Sequence, residues 1–370
     1  MKKISPLELH AAILVYITST TIYSNVTQQL LQNNAWLGAI EGYIVGLIYV
    51  YIFISLTSKF QNKTIIEIND IIYGKYIGKI ITGIYLYLFI EQLLDALLWS
   101  SFFIHQGIMP DLSRILTVIL IIIVSLFSIK NGIIPILRYA VLLAFMTFTI
   151  LIITYLLLSG IIDFSNLLPI EVSLMEVFKA NIIDIDYTYG ELIYLFFIIF
   201  PNTSNISDVL YKKKKYVYLT LTIGGIYSLF VYIRNSAILG NLSFMFRYSS
   251  LQVVRYLGIG EVFSRLEILF FIEYLGMIFY SFCIIYYSLI YMVSQLSNIK
   301  RYNLLGILIG IALIMGTYYL IENISMTELN DYYDKEYIYT IPGIRLGLPI
   351  ITLIIFHLKK IFAKNEKNEA

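Results

Sequence analysis

The chain has 370 residues, of which 59% are hydrophobic and only 14% charged, with a formal net charge of +2 and a mean hydropathy of +0.80. A water-soluble chain of this length needs more charge to cover its surface, so a string of soluble domains is excluded and one membrane domain over 1–370 is expected. Cys283 is the only cysteine, which rules out an intramolecular disulfide and a cysteine-built metal site.

Crossing the hydrocarbon core takes about 20 mostly apolar residues. Ten stretches approach that length, at 7–32, 36–58, 80–108, 115–130, 136–159, 181–208, 216–240, 264–296, 303–322 and 339–358. The first follows Lys2 and Lys3 but carries hydroxyl side chains and no small-residue cleavage site, so it reads as a retained helix rather than a signal peptide. It holds Thr18, Ser19, Thr20 and Thr21, then Tyr23, Ser24, Asn25 and Thr27. Two readings stay open for that density. Hydroxyls can stand in for backbone partners where a helix opens, exposing groups that bind the ends of a small zwitterion. They can equally be small residues packing one helix against another.

In the third span Glu91 and Asp95, four residues apart, share a helix face near mid-membrane. Two carboxylates so placed do not both ionise readily. They are either a proton-linked or cation-binding pair, or a hydrogen-bonded packing contact with one carboxyl neutral. His105, at the far end of the same helix, is expected at the interface.

The sixth span contains Asp184 and Asp186, then Tyr187-Thr188-Tyr189-Gly190-Glu191, and its apolar stretch ends at Phe200-Pro201. A glycine beside a mid-membrane glutamate marks a helix break at Gly190, and Pro201 marks a second. Anomalies in the first and sixth of ten spans occupy corresponding positions in two five-helix halves, the pattern of an inverted-repeat carrier with its site between the halves. The ligand-binding set expected on that basis is Thr18, Ser19, Thr20, Thr21, Glu91, Asp95, Tyr187, Tyr189, Gly190 and Glu191.

Further along, Lys212–Lys215 reads as a stop signal pinning the sixth helix, with a lipid-headgroup or nucleic-acid patch as the alternative. The segments 160–180 and 241–263 are too long for tight turns. In the second, Leu251, Val254, Tyr256, Leu257 and Ile259 could line one face of a short helix, either a lid on an outward cavity or a plain interfacial helix. The eighth span adds Glu273, and Glu267 placed to pair with Arg265 or Arg255 near the interface. Glu322–Glu336 reads as a solvated acidic loop.

Alternating from an inner N-terminus, 18 of the 26 lysines and arginines fall on the cytoplasmic side. The other 8, among them Arg234, Arg255 and Arg345, fall in outer loops or at span edges. Dropping any one internal span reverses that bias, which supports the even count and cytoplasmic termini. No phosphate-binding loop, nucleophile elbow or HExxH motif occurs, and the three histidines are scattered at 10, 105 and 357. An enzyme, a bound metal and a cofactor are therefore not expected.

Taken in order, several short pieces resemble the B subunits of nutrient germinant receptors of spore-forming bacteria, the endospore germination permease branch of the amino acid/polyamine/organocation transporter superfamily. The pieces are Ile4-Ser5-Pro6, Ala35-Trp36-Leu37, Asn166-Leu167-Leu168-Pro169, Tyr189-Gly190-Glu191 with Phe200-Pro201, and Leu251 to Glu267 with Val254-Arg255 and Ile259–Glu267. The resemblance implies an all-α membrane protein of about ten helices with a LeuT-like 5+5 inverted repeat and broken helices 1 and 6. It also implies a small nutrient ligand (an amino acid or sugar), a receptor A subunit and a lipoprotein C subunit as partners, and the spore inner membrane as location. Many relatives carry a Gly-Ser pair and a proline near the first break, where this chain has Thr18, Ser19 and Ser24. A ligand sensor is the reading the resemblance favours. A proton-coupled amino acid or amine transporter, with Glu91 and Asp95 as its proton site, is the alternative; a purely structural scaffold for the A subunit is a third.

Overall fold

The computed structural model describes residues 4–23, 26–203, 210, 214–246, 248–256 and 266–369. Among them are helices and connecting turns and no strand, as expected of a chain whose backbone must satisfy its own hydrogen bonds in lipid. The first predicted span is two helices, α1 (Pro6–Tyr23) and α2 (Val26–Leu31), and Ser24 and Asn25 between them lie outside the described residues. There follow α3 (Ala35–Lys59), α4 (Ile65–Phe103), α5 (Arg114–Ile129) and α6 (Ile134–Leu157).

α4 begins well before the predicted third span. A capping box between Thr64 and Glu67 starts a helix at Ile65. That helix turns at Gly74, whose φ of +79° is open to glycine and strained for other residues. The membrane stretch then runs on through Phe103 into a π-helical turn at Ile104–Ile108.

α7 (Leu174–Ile185), opened by a Ser173/Glu176 capping box, begins the sixth span. Beyond it the helix loses its regular ladder: a π-helical turn spans Asp186–Gly190, α8 is only Leu192–Tyr194, and a second π turn (Leu195–Ile199) leads to a 3₁₀ turn (Phe200–Asn202). The chain continues with α9 (Lys214–Leu239), α10 (Ser249–Arg255), α11 (Leu266–Ser297), α12 (Tyr302–Asn323), α13 (Met326–Tyr332) and α14 (Ile338–Glu369), the last carrying Pro342 and Pro349.

Among the described residues seven helices are long and apolar enough to cross a membrane. The other three predicted spans fall short individually: α1 has 18 residues, α5 has 16, and the sixth is cut into short pieces. The outer surface is apolar, with Phe127, Phe145 and Leu156 each at least 70% exposed. That suits a lipid solvent and would be costly in water.

α1 and the irregular sixth span form the centre. Leu9, Ala12, Ile13, Tyr16 and Ile17 of α1 are fully buried, as is the whole stretch Leu192–Phe200. α1 packs on α6, α9 and α11, α3 packs on α7 and α9, and α14 lies against α3 and α4. Gly46 of α3 lets the sixth span come close, since a Cβ there would stand 2.5 Å from the Tyr189 ring.

Candidate functional site between the interrupted spans

The first turn of a helix leaves backbone N–H groups without partners inside the helix. At the start of α2 one of these, Thr27 N–H, donates to Asp184 Oδ2 of α7 at 3.1 Å, and the Tyr232 hydroxyl donates to the same oxygen at 3.1 Å. One turn earlier on α7, Asn181 Oδ1 accepts the Thr27 hydroxyl at 2.7 Å. Its amide donates to Gly38 O and to Glu41 Oε2, each at 2.6 Å. Asp184 and Asn181 thus tie the restart of the first span to the sixth. Beside them lies a narrow cavity of about 20 Å³, room for about one water, lined by Thr21, Gly42, Asp184, Thr188, Ser228 and Tyr232. Thr21 and Ser228 share a hydroxyl–hydroxyl bond of 2.7 Å at its wall.

The opposite flank of the sixth span is charged. Arg345 of α14, fully buried, donates from one terminal nitrogen to Asp186 Oδ2 at 2.7 Å and from the other to Gln92 Oε1 of α4 at 2.9 Å. Tyr337 donates to Asp186 Oδ2 at 3.1 Å, and Tyr187 donates to Asp95 Oδ2 at 2.9 Å. The Tyr187 and Tyr337 rings stack with centroids 5.7 Å apart. The π turn makes this geometry possible, because Glu191 N–H reaches back five residues to Asp186 O and widens the helix there. Gly190 leaves room for the guanidinium: a Cβ would overlap Asp186 Oδ1 and come within 3.0 Å of Arg345 Cδ.

The predicted residues therefore divide between two flanks. Glu91, Asp95, Tyr187, Gly190 and Glu191 gather with Asp186 and Arg345, whereas Thr21 and Tyr189 line the cavity. Thr18 and Ser19 are fully buried and bond back to their own helix, Thr18 to Leu14 O and Val15 O and Ser19 to Tyr16 O. The buried Thr20 hydroxyl has no hydrogen-bond partner. Pro201 sits in the 3₁₀ turn that ends the span, fifteen residues past Asp186, where the regular helix is first lost.

Sequence reasoning placed Arg345 among outer loops and span edges, but it is a fully buried ion-pair partner inside α14. Gln92, Ser228, Tyr232 and Tyr337 were likewise missed. The usable signal was a lone arginine lying inside the predicted 339–358 span, since an ionisable group at such depth needs a partner.

Two further buried ionisable side chains, Arg234 and Glu273, lie outside this site. Arg234 donates to Thr154 Oγ1 at 2.8 Å and to Asn235 Oδ1 at 3.0 Å, and Asn235 Nδ2 donates to Ser250 Oγ of α10 at 3.0 Å. Glu273 is 1% exposed, and its Oε1 has no hydrogen-bond partner. Of the apolar set expected on the 241–263 loop, Leu251 and Val254 are buried on α10, while Leu257 and Ile259 lie outside the described residues. Arg265, Lys212 and Lys213 also lie outside them, as does the side chain of Glu267.

A family model described as "Spore germination protein" matches residues 3–324. Spore germination protein KB of Bacillus subtilis (strain 168) is 23% identical over 341 residues, covering 91% of this chain and 90% of that protein. Spore germination protein YndE of the same organism is 24% identical over 352 residues, covering 92% of each. Among solved structures, a Na⁺-coupled sialic acid symporter in a substrate-bound, outward-open state superposes with a TM-score of 0.62 at 10% identity, over 93% of this chain and 78% of that one. The similarity is one of fold: the all-α, LeuT-like architecture expected from the sequence is the architecture found.

Proposed function

Since the chain belongs to the spore germination protein family, we propose that it is the membrane subunit of a nutrient germinant receptor. In this reading it binds a small germinant, an amino acid or a sugar, between the first and sixth spans and so triggers germination. Its partners are a receptor A subunit and a lipoprotein C subunit, and its place is the spore inner membrane with both termini cytoplasmic. The observation that carries the reading is the irregular stretch from Asp186 to Pro201, buried throughout at the centre of the bundle and polar on both flanks. Irregular backbone at that depth is sustained only where protein or a cavity surrounds it, and Thr21, Thr188 and Tyr189 beside it line the cavity. A germinant acts by binding one arrangement of this centre more tightly than another, because a ligand of equal affinity for both shifts nothing.

The test is germination of spores lacking this chain, across amino acids, sugars and nucleosides. Loss of response to one nutrient with the others intact supports the reading. Unchanged responses to all, in a strain without redundant receptors, defeat it. A proton-coupled amino acid or amine transporter is the second reading, favoured by the carboxyl groups gathered around Arg345. Uptake of labelled substrate into vesicles, collapsed by an uncoupler, distinguishes it.

A further inference from the structure

Four carboxyl groups share one guanidinium. Asp186 is bonded to Arg345, and Glu191, Glu91 and Asp95 lie within its electrostatic reach. Asp186 is 0% exposed, Glu191 1% and Asp95 8%, and Glu91 is half-buried with its Oε2 enclosed. The other titratable groups facing them are phenols: Tyr187 and Tyr194 from the sixth span, Tyr337 and Tyr332 from the segment before α14, and Tyr49 from α3. Among the described residues Arg345 is the only cation of the group.

With all four carboxyls ionised and one guanidinium, the group would carry a net charge of −3 inside the bundle. Buried charge without a partner is not sustained at such density by a fold of ordinary marginal stability. Nor is the geometry that of a metal site, because among the described residues no three such side chains converge closely enough to hold an ion. The hydrogen bonding is incomplete in a consistent way. Glu191 Oε1, Asp95 Oδ1, Glu91 Oε2 and Asp186 Oδ1 are all enclosed and receive no hydrogen bond from the protein, but Asp186 alone has its other oxygen in an ion pair. Independently, the Tyr194 hydroxyl, 0% exposed and within reach of Arg345 and Glu191, also has no partner.

We infer that this cluster is a proton-binding site, in which Asp186 is the ionised member while Glu191 holds one proton and the Glu91–Asp95 pair shares a second. Asp186 is ionised because both donors of the network, Arg345 and Tyr337, converge on its Oδ2. Among the described residues Glu191 makes no ion pair and receives no donor on Oε1, so its neutral form is the one the site accommodates. Within the pair, Tyr187 donates to Asp95 Oδ2, which leaves Oδ1 to carry the proton, and the remaining charge falls on Glu91, the most exposed of the four. The site extends beyond the two carboxylates visible as a helical pair in the sequence and does not depend on the receptor reading.

Infrared spectroscopy of the purified full chain in lipid bilayers, in H₂O and in D₂O at neutral pH, tests it. Protonated carboxyl groups give a deuterium-sensitive carbonyl stretch that ionised ones lack. The wild type is expected to show two such components. Glu191→Gln removes one, Asp95→Asn removes the other, and the double variant removes both; each amide mimics the neutral acid in shape. The wild-type spectrum alone suffices to overturn the inference, if no protonated-acid band is present at neutral pH. A protonated-acid band left unchanged by both substitutions, its carbonyls then belonging wholly to Glu273 or elsewhere, overturns it equally. Germination plays no part in the readout, so a failure here is separate from a failure of the receptor reading.

Discussion

Replacing Arg345 by methionine keeps the bulk of the side chain and removes the cation that pairs with Asp186. The variant chain has two options, and the cheaper one sets the magnitude. Leaving Asp186 ionised, buried and without its partner costs about 3–5 kcal/mol. Protonating it instead at pH 7, from an ordinary value near 3.9, costs about 1.4 kcal/mol for each of roughly three pH units, or about 4 kcal/mol. Both routes predict a loss of about 4 kcal/mol at neutral pH, and they separate on acidification. If Asp186 protonates, the folded variant binds one proton more than the folded wild type, so its stability relative to the wild type falls as pH rises and recovers by about 1.4 kcal/mol per unit as pH is lowered. Adding Asp186→Asn to Arg345→Met removes the charge as well; most of the loss returns and the pH dependence reverts to that of the wild type. Equilibrium unfolding of the purified chain in mixed micelles, followed by circular dichroism from pH 7 to 5, measures all three. An Arg345→Met variant that loses under about 1 kcal/mol, with no pH dependence beyond the wild type's, would refute the claim that the 2.7 Å pair is a dehydrated contact holding α14 to the sixth span.

Gly190→Ala puts a methyl group onto Asp186 Oδ1 and against Arg345 Cδ; a loss of about 1–3 kcal/mol is expected, with the protein still present in spore membranes and the nutrient response abolished in a germination assay. A disulfide between Asn235→Cys and Ser250→Cys, whose native side chains bond at 3.0 Å, should hold α10 onto α9. Cys283, the native thiol, is buried, so oxidation should arrest the response and a reductant restore it; an unaffected response would mean that α10 does not move. The capping boxes at Ser173/Glu176 and Ser325/Glu328 are solvent-exposed, and hydrogen bonds from the serines hold both glutamates below their ordinary 4.5. Their contribution is therefore present above 4.5 and lost as pH falls through the lowered folded-state values, and amide exchange at Glu176 and Glu328 should quicken over that acidic range.

The helical class was legible because hydropathy is a property of runs, and runs survive without knowledge of partners. The sixth-span break was legible for a related reason: Gly190 beside Glu191 in an apolar stretch is a local contradiction that only a special backbone resolves. Arg345 was not, although the same logic applied to it, because counting arginines by side treats each as a loop residue unless a partner is known. That partner, Asp186, is 159 residues away. Thr18 and Ser19 illustrate the opposite limit. Hydroxyls on a helix read identically whether they bond back one turn, as these do, or face a cavity, as Thr21 does. Likewise α4 starts at a Thr64/Glu67 box that the hydropathy profile passes over, since that first segment lies ahead of the membrane stretch.

The two flanks of the sixth span are not independent, because a single irregular stretch carries both. Asp184 and Asp186 sit two residues apart: the first holds the start of α2, the second holds α14 through Arg345. A regular helix would transmit a rotation of one to the other rigidly. Here the bonds are redistributed through a π turn between Asp186 and Gly190, and an exchange of that turn for regular helix would move one residue out of the ladder. That exchange would swing Asp186 relative to Asp184, releasing one anchor while keeping the other. A ligand touching either flank therefore has a physical route to the other, provided it binds the two registers with different affinity. The lipid-facing surface is indifferent to small rotations, whereas an enclosed ion pair is either made or broken.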